Sequence, residues 1–245
     1  MKVFFYLLLT LALTLPCAQA ADLTMVTEQW PPFNYTDGKG TLTGLSSDIV
    51  TLALDNAGLK AEFKVLPWAR AYDMAQHDPE VFIFSILKTP AREPLFQWAG
   101  PLIPSLSVNL YKLKSRTDIA ISTLEDAKKY VTAVMKAGST QLYLQGQGFT
   151  IGRSLEVASS NELGIKKLFW KRVDLISGNA PAMAQLARAT GHSFSELEEV
   201  LALYDCGLYA ATSLKTPPVL VQRLQAGFDA IPPERIEALI QSYLN

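Results

Sequence analysis

Short stretches of two-residue alternation or unbroken apolar character recur along the chain, separated by stretches with helical spacing. Residues 23–27 alternate and are rich in β-formers, so they read as a strand. Pro31 and Pro32 remove ladder donors and stop its extension, and Asp37-Gly38-Lys39-Gly40 is a turn. After the N-cap cluster Ser46-Ser47-Asp48 a helix is expected over 49–57, with Ile49, Leu52 and Ala53 on one face and Gly58 as its stop. A strand over 59–66 and a helix opened by Pro67 follow. Residues 81–87, apolar except for Ser85, suit a strand covered on both faces. Further on, 105–114 is extended, and Ser122-Thr123-Leu124-Glu125 reads as a capping box opening a helix to residue 130. Strands at 131–135 and 173–177 alternate with helices at 139–145, 160–170 and 180–189. Two short strands, 200–204 and 208–213, precede terminal helices at 217–228 and 232–244. This alternation predicts an α/β fold with largely parallel sheets. No repeat, low-complexity tract or long linker is visible, so any two lobes must be joined by strand-like crossings.

The first twenty residues depart from the pattern. Met1-Lys2 make a positive start, residues 3–15 are apolar apart from Thr10 and Thr14, and Pro16 breaks the helix before Ala18-Gln19-Ala20, an A-x-A cleavage signal. Residues 1–20 are therefore expected to be a cleaved secretory signal peptide, placing the mature chain in the periplasm. A membrane anchor shares this look, but the run is shorter than the roughly 20 apolar residues that span a bilayer. Pro16 directly before Cys17 does not suit a lipoprotein site. The mature chain keeps one cysteine, Cys206, expected to be buried and inert.

Composition narrows the function classes. Of the 245 residues 49% are hydrophobic and 18% charged, which excludes a disordered chain. The balance of 22 Lys+Arg against 23 Asp+Glu offers no basic excess for phosphates, so nucleic acid is not expected as a partner. Two Cys and two His cannot build a Cys/His metal cluster, and no metal or cofactor is expected. The length fits one large domain or two small ones.

Three places carry unusual chemistry. Trp30, Phe33 and Tyr35 surround two prolines just past a strand end, where ligands of open α/β sheets bind; Phe33 and Tyr35 serve equally as core under a loop, Trp30 less so. Trp68 and Arg70 open a helix after a strand, and offer either an aromatic wall with a cation or a core Trp with a solvated Arg. The buried strand ending at Leu87 runs into a polar turn containing Lys88, Thr89 and Arg92. A guanidinium grips a carboxylate through two parallel hydrogen bonds, so Arg92 is a candidate anion reader, although such a residue also serves as a surface charge.

The order of these motifs resembles the bacterial extracellular solute-binding proteins, in particular the family holding the polar amino-acid receptors of ABC importers. The resemblance rests on the leader, Trp30-Pro31-Pro32-Phe33, Gly44-Leu45-Ser46-Ser47-Asp48-Ile49, Pro67-Trp68-Ala69-Arg70-Ala71, Thr89-Pro90-Ala91-Arg92, Trp98-Ala99-Gly100-Pro101 and Ala137-Gly138-Ser139-Thr140-Gln141, and covers nearly the whole mature chain. It implies a two-lobed, periplasmic-binding-protein-like clamshell of type II, with mixed, mostly parallel sheets and two crossovers between lobes. Lobe 1 would be 21–112 plus 213–245, and lobe 2 would be 113–212. It implies further that Arg92 holds a ligand carboxylate, with Ser85 and Thr89 beside it. Trp30 would cover the ligand, and Trp68 would form a second wall. Ser139 and Thr140 fall where the family places carboxylate-binding donors, and the predicted helix N-terminus there independently favours an anion. Asn179 departs from the pattern, because the family's amine-binding acid usually stands there. A neutral amide is a poorer partner for an ammonium, so a ligand without an amine stays open, and Glu28 or Asp205 could compensate. The function implied is capture of a small polar, amino-acid-like or carboxylate ligand by a monomer and its delivery to an ABC-type permease. Two alternatives stand beside it: an enzyme on the same fold, of dehydratase or murein-cleaving type, with Glu28 or Asp205 as acid–base, or a sensor for a membrane signalling partner.

Overall fold

The segments at 23–27, 61–65 and 81–87 become neighbouring strands: the first and last are buried on both faces, and the middle one, carrying Glu62 and Lys64, takes the sheet edge. The structure is a computed structural model that describes residues 21–244. The expected signal peptide lies outside the described residues. In chain order the strands are β1 (Leu23–Thr27), β2 (Tyr35–Thr36), β3 (Leu42–Thr43), β4 (Ala61–Val65), β5 (Val81–Leu87), β6 (Gln97–Leu113), β7 (Thr132–Met135), β8 (Leu155–Ala158), β9 (Leu175–Gly178) and β10 (Leu197–Thr212). The α-helices are α1 (Leu45–Ala57), α2 (Trp68–His77), α3 (Leu124–Ala127), α4 (Ser139–Gly146), α5 (Asn161–Phe169), α6 (Ala180–Ala189), α7 (Pro218–Asp229) and α8 (Pro233–Leu244). Eight strands form one mixed sheet in the order β4-β1-β5-β10-β6-β9-β7-β8, and β2 and β3 form a small hairpin. Pairing is parallel within β4-β1-β5 and within β9-β7-β8, and antiparallel where β6 and β10 join them.

The architecture is a two-lobed α/β fold organised by the β6–β10 ribbon. These strands, 17 and 16 residues long, pair from Leu197 opposite Leu113 to Thr212 opposite Gln97. β5 joins the ribbon at one end through 208–212, and β9 joins it at the other through 109–112. Each end has apolar clusters on both sheet faces. At the β5 end, one face packs Met25, Phe82 and Phe84 against residues of α1 and α7 such as Ile49 and Leu224, and the other packs Val26 and Ile83 against Trp68, Ala71 and Ala75 of α2. At the β9 end, Ala133 and Ile176 meet α5 and α6, while Val134 and Leu175 meet Leu144 of α4.

The two short strands expected at 200–204 and 208–213 are one strand. Asp205 and Gly207 interrupt the apolar pattern, but register shifts between 199 and 210 absorb the irregularity without breaking the ladder. At Gly207 the partner backbone comes close: a Cβ there would lie 2.8 Å from the Pro104 carbonyl oxygen. The strand expected at 105–114 likewise begins earlier, at Gln97. The helix expected to reach residue 130 stops at Ala127, and its capping box pairs Thr123 with Asp126 rather than Ser122 with Glu125. β8 was not expected; four residues at a sheet edge carry too little periodicity to read. α1 starts at Leu45 without a side-chain cap. The Pro32 and Phe33 carbonyls take its first free amides, from Leu45 at 3.0 Å and Ser46 at 2.7 Å. Gly44 permits this approach, because its φ is +117° and a Cβ would sit 2.5 Å from the Phe33 oxygen.

Candidate functional site

Strand ends and helix starts from both lobes converge on a cleft beside the ribbon. The β5 lobe contributes Glu28 and Trp30 after β1, Trp68 at the start of α2, Ser85 and Leu87 from β5, and Arg92. The β9 lobe contributes Met135, Gly138, Ser139, Thr140, Asn161 and Ser177, and the ribbon adds Val108.

Ser85 reaches the cleft because of a break in its strand. Tyr209 of β10 pairs with Ile86, and the next residue, Ala210, pairs with Phe84, so Ser85 is bulged out of the ladder with φ +61°. A bulge re-aims side chains. Before it, Phe82 and Phe84 share the face toward α1; after it, Ile86 faces α2 instead. The Ser85 hydroxyl is buried without a hydrogen-bond partner among the described residues.

Arg92 is 1% exposed and is the bulkiest of the fully buried side chains. Its guanidinium stacks over Trp68 at 5.1 Å and Tyr72 at 5.2 Å from the ring centroids. Nη2 donates to the Ala137 carbonyl of the opposite lobe at 3.2 Å, and Nη1 reaches the Leu87 carbonyl at 3.4 Å. Nε is buried with no hydrogen-bond partner among the described residues. Burial pulls the Arg92 pKa below its ordinary value, while Tyr72 and Tyr204 act the other way. The Ala137 carbonyl also accepts from Trp68 Nε1 at 3.0 Å. Ala137 itself has φ +58°, so a strained residue holds a contact shared by two side chains across the cleft.

Opposite, α4 begins at Ser139 with Gly138 as N-cap and no side-chain cap. The hydroxyls of Ser139 and Thr140 meet the Tyr204 hydroxyl of β10 at 3.1 and 3.0 Å. Burial raises the Tyr204 pKa, and these hydroxyls and Arg92 oppose that rise.

Of the residues singled out from the sequence, Trp30, Trp68, Ser85, Arg92, Ser139 and Thr140 line the cleft. Three others do not. Arg70 is exposed, because two residues along a helix turn it about 200° from Trp68. Thr89 shapes the turn instead: its carbonyl accepts the Arg92 and Glu93 amides, both at 2.9 Å. Asn179 is 2% exposed, and its Oδ1 accepts the Ala182 amide at 3.0 Å, capping α6. Phe33 is core, 4.7 Å from the Trp30 ring, and Tyr35 lies in the small hairpin. Asn161 and Ser177 line the cleft without having been expected; small polar residues at a helix start and a strand end carry no distinctive signal. Glu28, named from the sequence as a compensating or acid–base group, also lines the cleft. It is half-buried, and desolvation pushes its pKa up to about 8 against the pull of Arg92. Cys206 is half-buried, with Sγ donating to the Lys88 carbonyl at 3.2 Å, and burial raises its pKa.

A two-lobed α/β fold with a cleft centred on one buried guanidinium is the design of a solute-binding protein. The chain belongs to the bacterial extracellular solute-binding proteins, family 3, whose family model matches residues 23–245. It is 27% identical over 220 residues to the arginine-binding periplasmic protein of Mannheimia haemolytica, covering 87% of this chain and 86% of that one. A histidine kinase sensor domain with similarity to periplasmic binding proteins shares the fold with a TM-score of 0.81 at 15% identity, over 92% of this chain and 97% of its own. A periplasmic binding protein of Salmonella typhimurium described for its high arginine specificity has a TM-score of 0.76 at 17% identity, over 92% of this chain and 100% of its own. No helix among the described residues is long and apolar enough to cross a membrane.

Proposed function

We propose that the protein is a periplasmic receptor that captures a small, amino-acid-like solute bearing a carboxylate between its two lobes. The observation that carries this reading is the Arg92–Ser85 pair: a buried guanidinium with a free Nε and a buried hydroxyl without a partner, both bordering the same cleft. Unpaired buried donors are costly, and a carboxylate would satisfy both. Across the cleft, the uncapped start of α4 offers amides, hydroxyls and a favourable dipole to the same anion. Trp30 and Trp68 supply the walls. The arginine-binding relatives support an amino-acid-like ligand.

In this reading lobe 1 comprises 21–112 and 213–245, lobe 2 comprises 113–212, and the β6–β10 ribbon is the hinge. The ligand touches both lobes, so it shifts the balance toward the closed form by its differential affinity, without chemistry. The leader at 1–20 directs export and is removed. The closed monomer then engages an ABC-type permease. A second reading, delivery to a membrane sensor, is favoured by the likeness to the histidine kinase sensor domain; a permease or a kinase encoded beside this chain separates the two.

The test is calorimetric titration with L-arginine and other amino acids. Wild type is expected to bind at least one of them, and Arg92→Ala to lose that binding with an unchanged circular dichroism spectrum. Undiminished binding by the variant would remove the basis of the assignment.

A further inference from the structure

Ser139 and Thr140 stand side by side at the start of α4, but the hydrogen bonds around them are not alike. The Tyr204 hydroxyl of β10 donates to Ser139 Oγ at 3.1 Å and also meets Thr140 Oγ1 at 3.0 Å. A phenol has one proton. Spent on Ser139, it leaves Thr140 as the donor of the second bond. We propose that Tyr204 is a positioning residue for the solute: through the chain from Thr140 to Tyr204 to Ser139, it leaves the Ser139 proton for the bound anion. This inference rests on the receptor reading above and deepens it, since Tyr204 does not itself line the cleft.

Three observations carry it. First, Tyr204 is aimed by an irregularity of the ribbon. Ala202 pairs with Asn109, and Tyr204 pairs with the next residue along, Val108, so Leu203 is the extra residue of a bulge. A bulge re-aims the side chains beside it. Secondly, the phenol is anchored apart from its hydroxyl. Its ring lies 4.9 Å from that of Tyr143 on α4, and the Tyr143 hydroxyl reaches the Leu203 carbonyl at 3.5 Å. The ring is therefore held even where the hydroxyl is removed. Thirdly, α4 does not use the two hydroxyls for itself. Gly138 is its N-cap, without a side-chain cap, and the Gln141 side chain turns back to accept the Ala137 amide at 2.8 Å. Tyr204 is the side chain that meets both hydroxyls, and it comes from the ribbon that joins the lobes.

The chain gives two neighbouring hydroxyls unequal roles. Burial raises the Tyr204 pKa above its ordinary value, so its proton is present at neutral pH and committed to Ser139. A hydroxyl that accepts one hydrogen bond donates a stronger one. The Ser139 proton, on a residue that lines the cleft with Arg92, is thus prepared for a negative guest. Thr140 has its proton turned toward Tyr204, and offers the guest its helix-start amide instead. In the sequence the two residues look interchangeable; the bond from β10 separates them.

The experiment is calorimetric titration at neutral pH with the standard amino acids, beginning with L-arginine. It compares wild type with Tyr204→Phe, Ser139→Ala, Thr140→Val and the double variant Tyr204→Phe with Ser139→Ala, each checked for an unchanged circular dichroism spectrum. For the amino acid that wild type binds, Tyr204→Phe is expected to lose about three- to tenfold in affinity, the size of one neutral hydrogen bond. The same change made in Ser139→Ala is expected to cost less than about twofold more, because the hydroxyl it acts through is gone. Thr140→Val is expected to lose less than Ser139→Ala. A merely structural tyrosine would instead weaken binding equally in both backgrounds. That equality, undiminished affinity in Tyr204→Phe, or a loss in Thr140→Val as large as in Ser139→Ala overturns this inference and leaves the receptor reading intact. Failure of wild type to bind any amino acid overturns both.

Discussion

The two walls of the cleft are made from different chemistry. The β5-lobe wall is charged and aromatic: Arg92, Glu28, Trp30 and Trp68 stand around a strand bulge that presents Ser85. The β9-lobe wall is small and neutral: Ser139, Thr140, Asn161 and Ser177, at the starts of α4 and α5 and the end of β9. The first wall holds buried groups without hydrogen-bond partners among the described residues, the Arg92 Nε and the Ser85 hydroxyl. The second offers hydroxyls and helix-start amides, each worth a neutral hydrogen bond of about 0.5–1.5 kcal/mol. The Ala137 carbonyl, which reaches across to both Trp68 and Arg92, lets the second lobe recognise the first directly.

The sharpest way to break this comparison is to remove one wall's chemistry at a time. Arg92→Ala is expected to weaken solute binding by more than 100-fold, about 2.7 kcal/mol or more. The double variant Ser139→Ala with Thr140→Ala is expected to cost only about 1–2 kcal/mol in the same titration. Equal losses would show that the two walls contribute alike. Between these effects lies a pH dependence. Glu28 has its folded-state pKa raised to about 8 from an ordinary 4.5, so the native state holds a proton that the unfolded state has released. Its favourable contribution therefore falls as pH rises from about 4.5 toward 8, and is gone above that range. Glu28→Gln, permanently neutral, should match wild type in thermal denaturation at pH 4, exceed it at pH 6 and exceed it by more at pH 9. Coincident curves at pH 9 would mean that the carboxyl is not desolvated. The smallest effect is expected from Trp68→Phe, which keeps an aromatic ring beside Arg92 but deletes the donor to Ala137. Stability should fall by about 0.5–1.5 kcal/mol, measured by urea unfolding; a larger loss would mean that the cross-cleft contact carries more than a single neutral bond.

Much of the fold could be read from the pattern, because β5, α1, α2, α5 and α6 each have a full period of apolar positions with a cap or a stop. The site was legible to the extent that its chemistry is rare in sequence. Trp30, Trp68 and Arg92 stand out as large or charged residues beside strand ends. Arg70 stood out for the same reason yet faces solvent, since nothing local says which side of this ten-residue helix meets the sheet. Asn161 and Ser177 were silent because small polar residues occur in every loop. Ser85 could be marked as polar in an apolar strand, but its bulge depends on the pairing of β10 with β5, which is not a local property.

From its sequence alone this chain determines an alternating α/β scaffold, without a basic surface, that carries one arginine in a polar turn after a buried strand. These follow from periodicity, propensity and composition, all of which act over a few residues. Tertiary structure decided that 197–212 is one strand bridging two lobes, that Asn179 is consumed by a helix cap, and that Glu28 shares a cleft with Arg92. Each of these depends on contacts between segments distant in the chain, where burial and register, rather than local preference, set the energy.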